Sequence, residues 1–339
     1  MRRVLVLALP RLELLDLAGP VQVFDEANAC GGDYVVELCS PHAKLRTAQG
    51  VWLSELAPLP EPGPDDLVVV PGMAFDALDA VGRDVHRWLR TAHERGAAVC
   101  SVCTGAFVLG AAGLLNGRRC TTHWLHVEAL RRRHPGARVL DDRLFVEDAG
   151  VTTSAGIASG IDMALWWVER EHGPLVAART ARRLVVYLRR DGGQAQRSVY
   201  LDYRTHLDPG VHRVQDRIVS HPAESVSLRA LARVAGMSTR SLTRAFRRAT
   251  GLSVGEFAAR VRLELARSLL HDPGLTIEEI ARRSGFGSAR QFRRVWKDAY
   301  GVPPSAERAA PRAGGRSRCG GPPSRSIPPR LTGSASSSP

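Results

Sequence analysis

Two segments of the chain, SLRALARVAGMS from Ser227 and TIEEIARRSGFGS from Thr276, align at an offset of 49 residues. Each opens on Ser or Thr, a good helix N-cap, and then places apolar residues at Leu228/Ile277 and Leu231/Ile280 beside a small Ala232/Ala281. Each breaks at Gly236/Gly285, where glycine takes left-handed backbone without steric cost. A second helix follows in both copies, with Leu242 and Phe246 against Phe292 and Trp296 as core anchors, and Arg244 against Arg294 on the outer face. This is the helix-turn-helix pattern written twice. Any helical hairpin with Gly in its turn imitates one copy; two copies constrain the fold far more. Between them VGEFAARVRLELARSLLHD, from Val254, predicts one amphipathic helix of roughly 16 residues, about 24 Å long at 1.5 Å per residue. Such a strut can hold two recognition helices about one duplex turn apart, roughly 34 Å.

The charge distribution agrees. The chain of 339 residues carries a formal net charge of +13, but residues 1–210 hold 24 Lys+Arg against 25 Asp+Glu. Residues 211–310 hold 18 against 9, and residues 311–339 hold 5 against none. A neutral two-thirds followed by a basic hundred residues is the footprint of a sensor or enzyme joined to a nucleic-acid binder. A solvated Arg-rich surface would give the same count, so charge alone does not decide.

Upstream the pattern changes. RRVLVLAL, YVVELCS, DLVVVPG and AAVCSV are nearly continuous apolar runs, as expected of parallel strands buried on both faces. Helix-like segments lie between them, among them 19–28 and 82–95, and GIASGIDMALWWVEREHG predicts a helix ending at Gly173-Pro174. The fold class expected is α/β, a flavodoxin-like three-layer sandwich with a mostly parallel sheet, followed by an all-α domain with two helix-turn-helix motifs. The boundaries expected are 1–175 for the α/β domain, 176–210 for a linker around the Gly192-Gly193 pair, 211–310 for the helical domain and 311–339 for a disordered tail. Val4 to Leu9 reads as a strand and not a signal peptide, and no apolar run approaches 20 residues, so a cytoplasmic protein without membrane contact is expected. The six cysteines, at 30, 39, 100, 103, 120 and 319, show no framework spacing and suit a reducing compartment.

Residues 211–308, with the closing run KDAYGVPPSAER and its Gly301, Pro303 and Pro304, resemble the AraC/XylS DNA-binding domain. The resemblance places Arg240, Thr243 and Arg244 of the first recognition helix, and Arg290, Gln291 and Arg294 of the second, against DNA. The chemistry fits: Arg pairs bidentately with guanine and Gln can read adenine. Arg247, Arg248, Arg293 and Lys297 are expected on phosphates, which position without specifying. For any one of these cations a plain solvated helix face remains the alternative.

LLDLAGPVQVFDEAN, VVVPGM, SVCTGAFVLGAAGLLNGRRCTTHW and TTSAGIASGID, in that order, resemble the ThiJ/PfpI (class I glutamine amidotransferase-like) domain over residues 3–172. Together the two resemblances point to the GlxA-type transcriptional regulators. In this reading Cys103 stands at a tight strand-to-helix turn, with His123 as a proton acceptor and Asp16 opening the loop before the first helix. The backbone N–H groups of Thr104 and Gly72 are candidates for an oxyanion-hole-like pair.

One departure argues against amidotransferase chemistry. The elbow G-x-C-x-G here begins with Ser101, lacking the glycine expected to permit the strained turn. Cys103 could instead fill a tight core position, Cys100 and Cys103 could form a C-x-x-C, and His123 could be a satisfied core residue, with His126 on a helix surface. The function expected is an AraC-family DNA-binding transcription regulator whose first domain binds a small metabolite at a non-catalytic Cys103 site. The alternative is a cysteine-dependent lyase or hydratase of the ThiJ/PfpI type with a DNA-binding appendage. No cofactor or metal is expected. The partners expected are double-stranded operator DNA, a small-molecule effector, a second copy of the chain and RNA polymerase.

Overall fold

Strand β1 (Arg2–Leu7) shows why the apolar runs are continuous. Val4 and Val6 face one helical layer while Leu5 and Leu7 face the other, and all four are fully buried or nearly so. The computed structural model describes residues 1–309 except 142, 157, 187–189, 191, 194, 195, 197–201, 271 and 273. They form two units, 1–207 and 208–309.

In the first unit β1 is followed by α1 (Leu14–Asn28), β2 (Tyr34–Cys39), the hairpin β3 (Lys44–Arg46) and β4 (Trp52–Ser54), and β5 (Leu67–Val70). Then come α2 (Arg83–Glu94), β6 (Ala98–Val102), α3 (Gly105–Ala111), β7 (Arg119–Cys120), α4 (Val127–Arg133) and β8 (Arg138–Val139). β9 (Phe145–Asp148), β10 (Val151–Ser154) and α5 (Ala158–Arg183) close the unit. The sheet order is β2-β1-β5-β6-β10-β9, parallel throughout except for the antiparallel edge strand β9. α1 and α5 cover one face; α2, α3 and α4 cover the other. This is the three-layer α/β sandwich expected. The chain leaves β1 for β2 on one side and crosses to β5 on the other, so a crevice opens beyond the carboxyl ends of β1 and β5, where open α/β sheets bind ligands.

Three expectations need correction. The first helix begins at Leu14, not residue 19, so Asp16 lies in the first turn of α1 rather than in a loop and is fully buried. Pro20 inside α1 lacks the N–H that would bond back to the Asp16 carbonyl, yet the helix runs through it. The helix expected to end at Gly173-Pro174 does break there, at Gly173 (φ 84°, ψ 168°), but a second helical segment continues to Arg183. Of the stretch 176–210, Ala177 and Ala181 are buried in the first unit's core and Val176, Leu184 and Val186 pack against it. Farther on, Arg190 pairs with Asp162 (2.7 Å) and the Gly192 carbonyl accepts from the Leu144 amide (3.0 Å). Over 176–186, apolar residues spaced for one helix face hold the chain to the first unit's core. The tail from residue 311 lies outside the described residues.

The second unit comprises α6 (Pro209–Ser220), α7 (Leu228–Ala235), α8 (Thr239–Thr250), α9 (Val254–Leu270), α10 (Ile277–Arg283), α11 (Ala289–Tyr300) and α12 (Pro304–Ala309). α7 and α8 form the first helix-turn-helix, and α10 and α11 the second. Ser227 and Thr276 are the N-caps of α7 and α10, and Thr276 forms a capping box with Glu279. Gly236 and Gly285 sit in the turns with φ 71° and 81°, the left-handed backbone each turn requires. Leu242, Phe246, Phe292 and Trp296 are 0% exposed. The second turn holds one more residue than the first, so the two 12-residue recognition helices match at an offset of 50.

Candidate functional site

Cys103 joins β6 to α3 with φ 54°, a conformation costly for a residue with a side chain. The turn therefore forms without a glycine at 101. Ser101 lies within β6 and is fully buried, and the positive φ falls two residues later, on Cys103 itself. Two bonds hold the strained residue: its amide donates to the Ser154 carbonyl (3.0 Å) and its carbonyl accepts from Thr122 Oγ1 (2.8 Å). The glycine the elbow does need is Gly105, where a Cβ would lie 2.3 Å from the Val70 carbonyl oxygen.

The loops after β1 and β5 are tied together above the sheet. Glu13 N–H donates to the Gly72 carbonyl (2.8 Å), and Thr104 Oγ1 accepts from Met73 N–H (2.8 Å) and donates to Met73 O (2.6 Å). A Cβ on Gly72 would meet Asp16 Oδ2 at 2.3 Å, Cys103 Cβ at 2.9 Å and Thr104 Oγ1 at 3.1 Å. The five residues expected at the site thus converge in part: Asp16, Gly72, Cys103 and Thr104 enclose one point. His123 approaches from the other side of the thiol, where the position of a Cβ on Gly156 lies 3.1 Å from His123 Cδ2 and 3.4 Å from Cys103 Sγ.

Electrostatics keep the thiol protonated. Burial pushes the Cys103 thiol up to about 12, with the Asp16 carboxylate adding to the rise and the Thr104 amide opposing it. The helix after the elbow does not outweigh desolvation. Burial, and then His126, lower the pKa of His123, and His123 Nδ1 accepts from the Leu125 amide (3.3 Å), which leaves the ring proton on Nε2. A neutral imidazole of that tautomer presents a donor on its free side. Among the described residues no carboxylate forms a hydrogen bond with this ring. Cys100 is a buried residue of β6, also pushed up to about 12 by burial, so the C-x-x-C pair has the character of core thiols. Among the described residues no group of three or more His, Cys, Asp or Glu side chains could hold a metal ion.

Beside the thiol lies a cavity of about 130 Å³ whose lining includes His123, Trp124, Leu144, Ser159, Arg190 and Gln196. Gln196 Nε2 donates to the Thr122 carbonyl (2.9 Å) and to Thr121 Oγ1 (3.1 Å). Sequence reading missed Arg190 and Gln196, because polar residues around a Gly-Gly pair carry no periodic signal.

On the helical unit, Arg240, Thr243, Arg244 and Arg247 project from α8 and with Arg248 line one open depression. Arg290, Gln291, Arg294 and Lys297 are exposed on α11. Arg240, Arg244, Arg247, Arg248, Arg290, Arg294 and Lys297 make no hydrogen bond or ion pair with the described residues. Three neighbours differ. Arg293 is paired with Glu278 (2.6 Å), Thr243 Oγ1 donates to the Thr239 carbonyl (2.9 Å), and Gln291 Oε1 accepts from the Gly287 amide (3.0 Å).

Residues 2–170 match the DJ-1/PfpI family, and residues 231–310 match a helix-turn-helix domain. The chain is 29% identical over 309 residues to the HTH-type transcriptional regulator GbdR of Pseudomonas aeruginosa, an alignment covering 89% of this chain and 83% of that one. It is 30% identical over 223 residues to the HTH-type transcriptional regulator GlxA of Rhizobium meliloti, covering 66% of this chain and 68% of the relative. Isonitrile hydratase of Pseudomonas putida is 34% identical over 160 residues, which covers 47% of this chain and 67% of the enzyme.

Proposed function

The chain belongs to the HTH-type transcriptional regulators that carry a DJ-1/PfpI domain ahead of an AraC-type helix-turn-helix domain, and on that ground we propose how it works. Its α/β unit takes up a small metabolite in the cavity beside Cys103, and occupancy sets how tightly the basic unit holds operator DNA. The observation that carries the DNA half is the pair of 12-residue helices whose outer faces present unpaired Arg and Lys side chains, anchored from behind by Phe246 and Trp296. Arg240, Arg244, Arg290 and Arg294 are assigned to base edges, and Arg247, Arg248 and Lys297 to phosphates. The chain acts as a homodimer on double-stranded DNA in the cytoplasm, with RNA polymerase as the downstream partner.

For the sensing half, a protonated thiol with a neutral His on its cavity side and a buried acid on its other side suits ligand contact better than nucleophilic attack. With burial pushing its pKa up to about 12, the Cys103 thiol stays protonated at pH 7. Control requires the metabolite to bind one conformation better than the other; equal affinity shifts nothing. The test is a thermal-shift screen of small metabolites on the full chain, followed by operator binding with and without each hit. Cys103→Ala is expected to keep basal DNA binding and to alter the ligand response. A hit that stabilises parent and variant equally, and leaves operator affinity unchanged, would remove the pocket from the account.

A second reading has one observation in its favour. The strained φ of Cys103, with Asp16 beside it, is the geometry of a nucleophile, and one relative is a hydratase. Turnover of a substrate by this chain, lost in Cys103→Ala, would establish it.

A further inference from the structure

Arg262 lies near the middle of α9, where the strut changes partners. Before it, Phe257 packs on Phe246 of the first recognition helix, with ring centroids 5.6 Å apart. After it, Leu263, Ala266 and Leu270 share a core with Ile280, Phe292 and Trp296 of the second copy. Arg262 is half-buried, and among the described residues it pairs with no carboxylate. Its Nε donates to the Pro222 carbonyl (2.9 Å) and its Nη2 to the Glu224 carbonyl (3.0 Å), both in the turn between α6 and α7. That turn is closed by the Glu224 amide on the His221 carbonyl (3.1 Å) and by Arg217 on the Glu224 carboxylate.

The same turn meets the second copy. A Cβ on Gly285 would stand 2.7 Å from Ala223 Cα, 2.8 Å from the Pro222 carbonyl oxygen and 2.9 Å from that of Ala223. Its counterpart Gly236 has the same left-handed backbone, yet a Cβ there would meet only Arg213 Nη2, at 3.9 Å. Conformation alone accounts for Gly236, whereas Gly285 also serves a close backbone-to-backbone approach between the copies.

We propose that the 221–224 turn is a clasp that fixes the separation and rotation of α8 and α11, with Arg262 as its positioning residue, so that the chain accepts one spacing of the bases it reads. The strut joins the copies along one line. The clasp adds a second line of contact beside it, through Arg262 to the strut and through Gly285 to the second copy, and two lines resist twisting where one does not. Two reading helices held in this way engage a duplex together only if the bases lie at the matching interval. One inserted base pair moves the second groove segment by about 3.4 Å along the axis and turns it by about 35°, more than rigidly held base contacts tolerate. The inference rests on the proposed entry of both helices into major grooves.

The test starts from a duplex selected by the full chain from a randomised library, with the bases under each helix located by the positions that relax in Arg244→Ala and in Arg294→Ala. Affinity is then measured on duplexes with one base pair inserted or removed between those positions. The parent is expected to lose about tenfold or more on either change, the scale of one good base contact. Arg262→Ala, which leaves two carbonyls to water, lowers that penalty to about threefold or less and weakens binding to the parental spacing. Arg262→Lys, still able to donate to a carbonyl, falls between. Gly236→Asn and Gly285→Asn supply the paired control, since Asn tolerates left-handed backbone. Gly236→Asn keeps the parent's spacing penalty, whereas Gly285→Asn, whose Cβ meets the clasp, lowers it or shifts the preferred spacing. Cooperative thermal unfolding shows which variants are folded; should Gly285→Asn not fold, the two Arg262 variants decide. A folded Arg262→Ala with the parent's full penalty overturns the inference, because the strut then sets the spacing unaided. A parent indifferent to spacing, although Arg244→Ala and Arg294→Ala each weaken binding, also overturns it while leaving groove entry intact. If Arg294→Ala relaxes no position, the entry of α11 into the groove is what fails.

Discussion

Glu278→Ala is expected to strengthen DNA binding by releasing an arginine. Arg293 donates to Glu278 Oε1 at 2.6 Å, and both side chains are more than half exposed. Hydrogen bonding from its own backbone amide and from Arg293 holds the Glu278 carboxyl below the usual carboxylate range, so at neutral pH the pair has no net charge to offer a duplex. Arg290, Arg294 and Lys297 on the same helix carry no such neutralising partner among the described residues. Each phosphate neutralised contributes about 0.9 to the slope of log affinity against log salt. Lys297→Ala should therefore lower the slope by about 0.9, and Arg293→Ala by less than half of that amount. Glu278→Ala should raise the slope by up to about 0.9, and adding Arg293→Ala in that background should remove the gain. The assay is fluorescence anisotropy of a labelled operator duplex titrated with the full chain between about 50 and 200 mM salt, the range over which such losses are large. A loss for Arg293→Ala in the parent equal to that for Lys297→Ala would mean the pair opens on DNA, and the reasoning would be refuted.

Two further outcomes concern the α/β unit. Gly72→Ala puts a methyl group 2.3 Å from Asp16 Oδ2 and 2.9 Å from Cys103 Cβ, in a loop tied at Glu13 and Thr104, and should cost about 1–3 kcal/mol in denaturant unfolding. An unchanged midpoint would show that the crevice is looser than drawn. Alkylation of Cys103 by iodoacetamide should rise about tenfold per pH unit from pH 7 to pH 10, because the reactive thiolate gains with pH until the pKa of about 12 is reached. A plateau below pH 9 would mean an activated thiol and favour the catalytic reading.

The parallel core was legible because both faces of β1, β5 and β6 are covered, which leaves no polar alternation to obscure the runs. The sequence does not mark β10 as a strand: VTTS is half threonine, and its Thr152 and Thr153 are buried although polar. α1 was started late because Gly19-Pro20 resembles a boundary. Gly19 instead lies where a Cβ would stand 3.0 Å from Ile161 of α5, so the glycine serves close helix packing, and the proline is carried within the helix. That single misreading moved Asp16 from a buried helix turn to an open loop. The missing glycine at 101 misled for a related reason: sequence shows which residues permit strain, but not which residue bears it.

In the helical unit the situation reverses. Caps, turn glycines and buried aromatics are local features, so the double helix-turn-helix could be read nearly residue by residue. What a face pattern leaves open is the partner chosen by each long side chain once it is on that face. Arg293 and Arg294 are neighbours with the same charge, yet Arg293 reaches Glu278 one helix away and Arg294 meets no acceptor among the described residues. Gln291 likewise suits adenine by residue type, and its oxygen also accepts from the Gly287 amide at the helix end. The two copies look alike in sequence but differ in chemistry. α8 offers four unpaired guanidiniums, whereas α11 offers two with one lysine, a neutralised arginine and a capped amide. On this basis α8 should dominate phosphate attraction, while the half-site under α11 should depend more on the base edge it meets, and salt should weaken the two contacts unequally.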